Sequence, residues 1–388
     1  MEAGLPVFAL ILLGLSVLAV IYPYVIYPIL LTLAPRRPLK DDRPIAPDQV
    51  SSKLSLAFCA YNEAITLPEK IENLRRLRGA DPDLEILAYS DGSADETAAL
   101  LKAEESWIRV FASEQRLGKS HGMNTLVQAA TGDFILFTDA NVMVEPEALA
   151  AVRKAFRDPM VGCVCGRLVY TNSNESATAA TGALYWRIEE KIKALESRSG
   201  STMGADGSLF AVRRSLYPVV PPDIIDDMFV SLSILCDGYR VVRVPEVLAW
   251  ERSATDSADE FRRKVRIACQ AFNCHRLLWP RLRRLSPLNL FKYSSHKLVR
   301  WFGIYFVVLG IGAAMAALWT MGLAVGALLL PPALACAYWA ARRLPLGPAA
   351  KVLEILRAMA ATGVGLVKSV WGERFQTWEL PQSSRKTG

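Results

Sequence analysis

The sequence predicts an α/β fold: a mostly parallel sheet flanked by transmembrane α-helices. Three observations carry this. Apolar β-type runs alternate with helical segments from residue 54 to about residue 137, polar residues close several of those runs, and uncharged apolar blocks lie on both sides of them.

Residues 4–34 carry no charge and exceed the roughly 20 residues that cross a bilayer. Neither a short charged leader nor a small-residue cleavage site follows the pattern of a removable signal, so residues 1–34 are expected to be an anchor. Pro23 and Pro28 should kink its end, with Tyr22, Tyr24 and Tyr27 at interface depth. Residues 35–52 read as a Pro-rich charged linker.

The sequence LSLAFCAY (54–61) predicts a first strand, followed by a helix to about residue 78. Glu85–Tyr89 and a helix over Ala94–Glu105 follow, then Ile108–Phe111 and a helix over Ser120–Ala130, then Phe134–Phe137. Four strand-then-helix steps imply a doubly wound sheet that binds ligands at its strand C-termini. Beyond it, MFVSLSILCDGY and Ser257 to about Leu278 predict two further helices. A basic interfacial segment, 281–300, leads to the apolar block 301–341, which is broken near Thr320-Met321-Gly322 and fits two spans. Lys351, Glu354, Arg357 and Lys368 cluster on one side of 349–370, which favours an amphipathic interfacial helix over a further span; 371–388 is a tail.

The chain is 52% hydrophobic with a mean hydropathy of +0.22, too apolar for an ordinary soluble protein. Its net charge of +7 has a membrane explanation, because the basic residues sit beside the spans. Arg36, Arg37, Lys40 and Arg43 follow the first span; Arg281, Arg283, Arg284, Lys292, Lys297 and Arg300 precede the second block, and Arg342 and Arg343 follow it. The positive-inside tendency puts all three groups, and residues of about 40–295, in the cytoplasm. No independent basic stripe marks a nucleic-acid site. The seven cysteines then argue for free thiols, and Cys163 and Cys165 alternate on one face of a strand. His121, His275 and His296 are too scattered for a histidine metal site or a triad, and are read as structural.

Candidate functional residues fall at the strand ends. The first strand closes in Tyr61-Asn62-Glu63, the second in Asp91-Gly92-Ser93 and the fourth in Asp139-Ala140-Asn141. Gly118-Lys119-Ser120 opens the third helix, where backbone N–H groups already favour an anion. Singly these are turns and caps; together, at the tips of one sheet, they outline a ligand site. Asp139 and Asn141 offer oxygen ligands to a hard divalent cation, the natural holder of a diphosphate. Asp226 and Asp227 precede a helix, either as acids favoured by its dipole or as a general base and its neighbour. Arg263 and Arg266, three apart on a helix, suit phosphates or a lipid-facing basic surface.

In order, CAYNEA, YSDGSADET, GKSHGMNTLVQAATGDFILFTDAN and IDDMFVSLSILCDGYRVVRVPE resemble the membrane-bound inverting glycosyltransferases of family 2. That group includes cellulose, chitin and hyaluronan synthases and ceramide glucosyltransferase, and the resemblance covers about residues 54–280. It implies a GT-A-like (Rossmann-like) nucleotide-sugar domain at 53–280, a nucleoside-diphosphate sugar donor and a divalent cation, Mg or Mn. The implied acceptor is a lipid-linked or glycan hydroxyl at the cytoplasmic membrane face. By this resemblance Tyr61, Asn62, Glu63 and Asp91 line the nucleoside side, with Lys119 near the base or diphosphate. Asp139 holds the metal, Asp227 deprotonates the acceptor beside Asp226, and Arg263 and Arg266 match the Gln and Arg of Q-x-x-R-W.

Two departures matter. Asn141 stands where the family has a second metal-site Asp, and Ile267 where it has the Trp that packs on acceptor sugar, which argues against processivity. The tail GERFQTWELPQSSR is similar to family tails in which a Trp and an Arg, here Trp378 and Arg385, return to the active site. Two other readings compete with single transfer: a processive polysaccharide synthase that secretes its polymer, and a degenerate sugar-nucleotide-binding scaffold.

Overall fold

The computed structural model describes residues 4–39, 53–172, 175–252, 255–343 and 347–377. Its helices are Gly4–Ile21 (α1), Ile26–Thr32 (α2), Leu67–Ala80 (α3), Thr97–Lys102 (α4), Lys119–Ala129 (α5), Glu147–Ala155 (α6) and Ala177–Arg198 (α7). Then come Asp226–Cys236 (α8), Ser257–Leu282 (α9), Pro287–Tyr293 (α10), Val299–Trp301 (α11), Gly303–Thr320 (α12), Ala324–Arg342 (α13) and Pro348–Val370 (α14). The strands are Leu54–Ala60 (β1), Glu85–Asp91 (β2), Arg109–Ser113 (β3), Phe134–Asp139 (β4), Met143–Val144 (β5), Val161–Tyr170 (β6), Leu209–Arg213 (β7) and Arg240–Glu251 (β8).

They form one eight-stranded sheet in the order β3-β2-β1-β4-β7-β6-β8-β5. The expected parallel unit is β3-β2-β1-β4. The rest is mixed: β7 runs antiparallel to both β4 and β6, while β8 is parallel to β6. Every residue of β1 is buried. Leu54, Leu56 and Phe58 enter one core, Ala57 and Cys59 the other, so helices must cover both faces. Each large apolar side chain sealed this way contributes about 1.5–3 kcal/mol, which fixes the sheet as the rigid base of the molecule.

This order sets the ligand crevice. From β1 the chain steps outward through β2 and β3, then returns to place β4 on the other side of β1. The switch point lies between the C-terminal ends of β1 and β4, where Cys59 pairs with Asp139. Because β7 is antiparallel, its start lies beside the end of β4, with Leu209 opposite Thr138. The segment Asp206-Gly207-Ser208 therefore borders the same crevice.

Among the described residues three helices, α1, α12 and α13, are long and apolar enough to cross a membrane. The first apolar stretch breaks at Tyr22–Val25, beside Pro23, and resumes as α2. Its tyrosines have partners inside the fold: Tyr27 is fully buried and donates to Glu196 at 2.5 Å, Tyr22 shares a hydrogen bond with Ser295, and Arg300 stacks over Tyr24. Two basic residues of the 281–300 segment also turn inward. Lys292 is buried on the carbonyl oxygens of Glu196, Ser199 and Ser201, and Arg300 pairs with Glu189. Helix α14 packs on α9 and not only on an interface, since a side chain at Gly365 would strike the Val265 carbonyl and Ala268.

Candidate active site

The crevice collects most of the residues picked out from the sequence. Lys119 opens α5 after Gly118, whose φ of 94° is accessible mainly to glycine. The two carboxylate oxygens of Asp91 accept the backbone N–H groups of Leu117 and Gly118. Asp91 is fully buried, so in this state it holds the loop that aims Lys119. From there the Lys119 ammonium reaches Asp139 at 2.8 Å, the Gly207 carbonyl at 3.4 Å and Asp226 at 3.7 Å. Burial alone would lower its pKa, but Asp139 and Asp226 raise it above the usual lysine range and hold it charged.

Asp226 and Asp227 are the first two residues of α8, where the helix dipole favours negative charge. They differ in surroundings. Asp226 is buried beside Lys119, and its Oδ2 has no hydrogen-bond partner. Asp227 faces Gly207, where any side chain would crowd its carboxylate at 3.1 Å. Burial, then the charge of Asp226, pushes the Asp227 carboxyl up to about 7. A carboxyl poised there takes a proton near neutral pH, as a general base must.

The remaining candidates are placed less directly. Tyr61 lies under the Arg116 guanidinium, 3.6 Å from its ring centre. Asn62 adopts a φ of 50° and accepts from the Ala94 N–H, tying the end of β1 to the turn after β2. Glu63 is buried and accepts from Thr66, so its carboxylate faces the start of α3. Arg263 is held bidentately by Glu260, at 2.9 and 3.2 Å, and a free grip on phosphate would have to break that pair. Arg266 donates to Gln270, which in turn donates to the Phe375 carbonyl. The segment after α14 thus folds back over α9, and the Gln376 carbonyl fills the space where Gly118 lacks a side chain. Trp378 and Arg385 lie outside the described residues.

Two residues escaped the sequence reading. Glu251 closes β8, accepts from Asn141 at 3.2 Å and lies 3.5 Å from the Ser208 hydroxyl. Burial and the nearby Asp139 push its carboxyl up to about 7. The signal that singled out Asp139, a carboxylate ending an apolar strand, was present at Glu251 too. Lys70, buried on α3, donates to the Val142 carbonyl at 2.6 Å and reaches Asp139 electrostatically from the other face of the sheet. The helical spacing does put Lys70 on the buried face, three residues after Leu67 and four before Leu74, but only the fold shows that this face lies behind Asp139.

Among the described residues no group of three His, Cys, Asp or Glu side chains could hold a metal unaided. A magnesium-like ion does not require that, since it commonly takes one or two carboxylates and completes its shell with substrate phosphates and water. The hard-oxygen donors at Asp139 and Asn141, with the orphaned Asp226 Oδ2 nearby, fit such an ion.

Residues 55–219 match the family described as Glycosyl transferase family 2. Residues 55–219 are thus similar to family 2 glycosyltransferases. An N-acetylglucosaminyltransferase of Rhizobium meliloti (strain 1021) is 25% identical over 232 residues, 54% of this chain and 53% of that protein. A poly-beta-1,6-N-acetyl-D-glucosamine synthase of Staphylococcus aureus (strain COL) is 26% identical over 205 residues, 51% and 49% of the two chains. The chain thus spans about half the length of these curated relatives. The mannosyltransferase PcManGT from Pyrobaculum calidifontis, solved in complex with GDP-Man and Mn2+, matches with a TM-score of 0.70 over 95% of this chain and 99% of that one. At 22% identity this likeness establishes a shared GT-A fold, extending over the flanking helices as well as the sheet.

Proposed function

We propose that this protein is a membrane-bound inverting glycosyltransferase. It moves one sugar from a nucleoside-diphosphate sugar to a lipid-linked or glycan hydroxyl at the cytoplasmic membrane face. The observation that carries this reading is the juxtaposition of Asp227, a carboxyl raised into the neutral range, with the Lys119–Asp139 pair at the switch point of the sheet. Asp227 takes the acceptor proton as its oxygen attacks the anomeric carbon in line. Asp226 keeps Asp227 basic, and Lys119, held by Asp139 and Asp226, supplies positive charge where the diphosphate leaves. Such preorganised charge usually accelerates these reactions more than any other single effect, with a general base adding about 10²–10⁴-fold. A divalent cation bound at Asp139 and Asn141 would neutralise the diphosphate.

The three apolar helices and the basic residues beside them support a membrane site with the domain on the cytoplasmic side. The relatives' names favour N-acetylglucosamine as the sugar, and the GDP-Man bound by the mannosyltransferase of the same fold makes mannose the second donor to try. The test is release of nucleoside diphosphate from UDP-GlcNAc and GDP-Man by membranes holding the protein, followed by mass spectrometry of the product. A product larger by one sugar is expected. A ladder of sugars would replace single transfer with processive synthesis, and binding without turnover would favour the degenerate scaffold.

A further inference from the structure

The crevice holds more carboxyl groups than basic residues. Asp139, Asp226, Asp227 and Glu251 border it, and Lys119 is the ammonium among them. Lys70 acts on Asp139 from behind the sheet, and Arg263 is committed to Glu260. Asp226, more than nine-tenths buried, leaves its Oδ2 without a hydrogen bond beside Lys119. Uncompensated buried charge is costly, and a diphosphate entering such a crevice would add to the cost unless a cation accompanied it.

Asn141 leaves that cation one carboxylate short of an Asp-x-Asp pair. The missing charge stands nearby on another strand. The antiparallel ladder of β5 with β8 pairs Met143 with Trp250, which brings Glu251 alongside residue 141. The Asn141 carboxamide nitrogen donates to Glu251 Oε1 at 3.2 Å, and the Ser208 hydroxyl lies 3.5 Å from Oε2. With that nitrogen on Glu251, the Asn141 oxygen would be the atom it offers to a cation. Among the described residues no lysine or arginine forms an ion pair with Glu251. Resting on the donor site proposed above, we infer that Glu251 is the second carboxylate of the cation site. It supplies from the end of β8 the charge that Asn141 lacks. Asp139, Asn141 and Glu251 would then share the ion with the donor diphosphate, and Asn141 would also position the Glu251 carboxylate.

The test uses the full chain in detergent. Mn2+ affinity is read from the free-ion electron paramagnetic resonance signal, with UDP or GDP present, and nucleotide binding is followed by calorimetry. Glu251→Gln should weaken Mn2+ binding at least about tenfold, the scale of losing a supporting group at a metal site. Asn141→Asp should tighten it, and the double variant Asn141→Asp with Glu251→Gln should return to within about threefold of wild type, since it moves the carboxylate and keeps the charge count. Equal Mn2+ affinity in wild type and Glu251→Gln, or no recovery in the double variant, overturns the role of Glu251. Nucleotide binding that ignores Mn2+ also overturns it but leaves the glycosyltransferase reading standing. No binding of either nucleotide to wild type under any condition overturns both.

Discussion

Two of the buried charge clusters among the described residues are built on different plans. In the cluster beside α12, each carboxylate meets a cation, although Arg300 Nε and Nη2 lack hydrogen bonds. His296 lies between Glu189 and Glu196, with each ring nitrogen 2.8 Å from a carboxylate oxygen. Arg300 adds a 2.6 Å bond to Glu189, Lys297 stands 3.9 Å away, and Tyr27 donates to Glu196. In the crevice, carboxylates outnumber the cations, and Asp206 Oδ2 and Asp226 Oδ2 lack hydrogen bonds, the latter 3.7 Å from the Lys119 ammonium. The first cluster locks α2, α7 and the turn before α12 together. The second is costly until something binds. Cations match carboxylates in the first cluster, and carboxylates outnumber cations in the proposed site.

His296→Leu should damage the clamp most. It strands two buried carboxylates, and breaking a buried pair in this way costs about 3–5 kcal/mol. The apparent melting temperature in detergent should drop sharply, while whatever protein stays folded keeps its nucleotide affinity. A variant that melts like wild type would mean that the clamp is not holding the helices.

The two clusters should also respond oppositely to pH. Burial alone would raise the carboxyls of Glu189 and Glu196, but the cations around them hold both below the ordinary glutamate value of 4.5. Their folded pKa values are depressed, so their contribution is present above about 4.5 and lost as pH falls through the folded values. Asp227 is raised from 3.8 to about 7, so the folded state without ligand binds the extra proton and this contribution declines as pH rises between those values. Melting curves without nucleotide should therefore show a decline toward neutral pH that Asp227→Asn removes. The rate of transfer should rise through about pH 7, as Asp227 ionises. Tyr27→Phe should act most mildly. It deletes one bond to the clamp and should cost about 1–3 kcal/mol through the acceptor left on Glu196, read as a modest fall in melting temperature.

The parallel half of the sheet was legible because its strands are short apolar runs bounded by turn residues, and that pattern is local. The mixed half was not. The pairing of β7 between β4 and β6 depends on contacts far along the chain, which no window of sequence contains. The same limit explains the site. Asp139, Lys119 and the Asp226-Asp227 pair were visible as strand tips and helix starts. Glu251 meets Asn141 across 110 residues, and its role appears only once β5 and β8 are paired. Tyr27 and Arg300 read locally as interface and surface residues, and packing turns both inward.

The proposed chemistry turns on Asp227, and not its neighbour Asp226, taking the proton. Single-turnover release of nucleoside diphosphate, measured with acceptor present for Asp227→Asn and Asp226→Asn, separates the two. Asp227→Asn should slow release about 10²–10⁴-fold with nucleotide affinity unchanged, and Asp226→Asn should slow it less while shifting the pH profile downward. Release by Asp227→Asn at the wild-type rate would rule Asp227 out as the base.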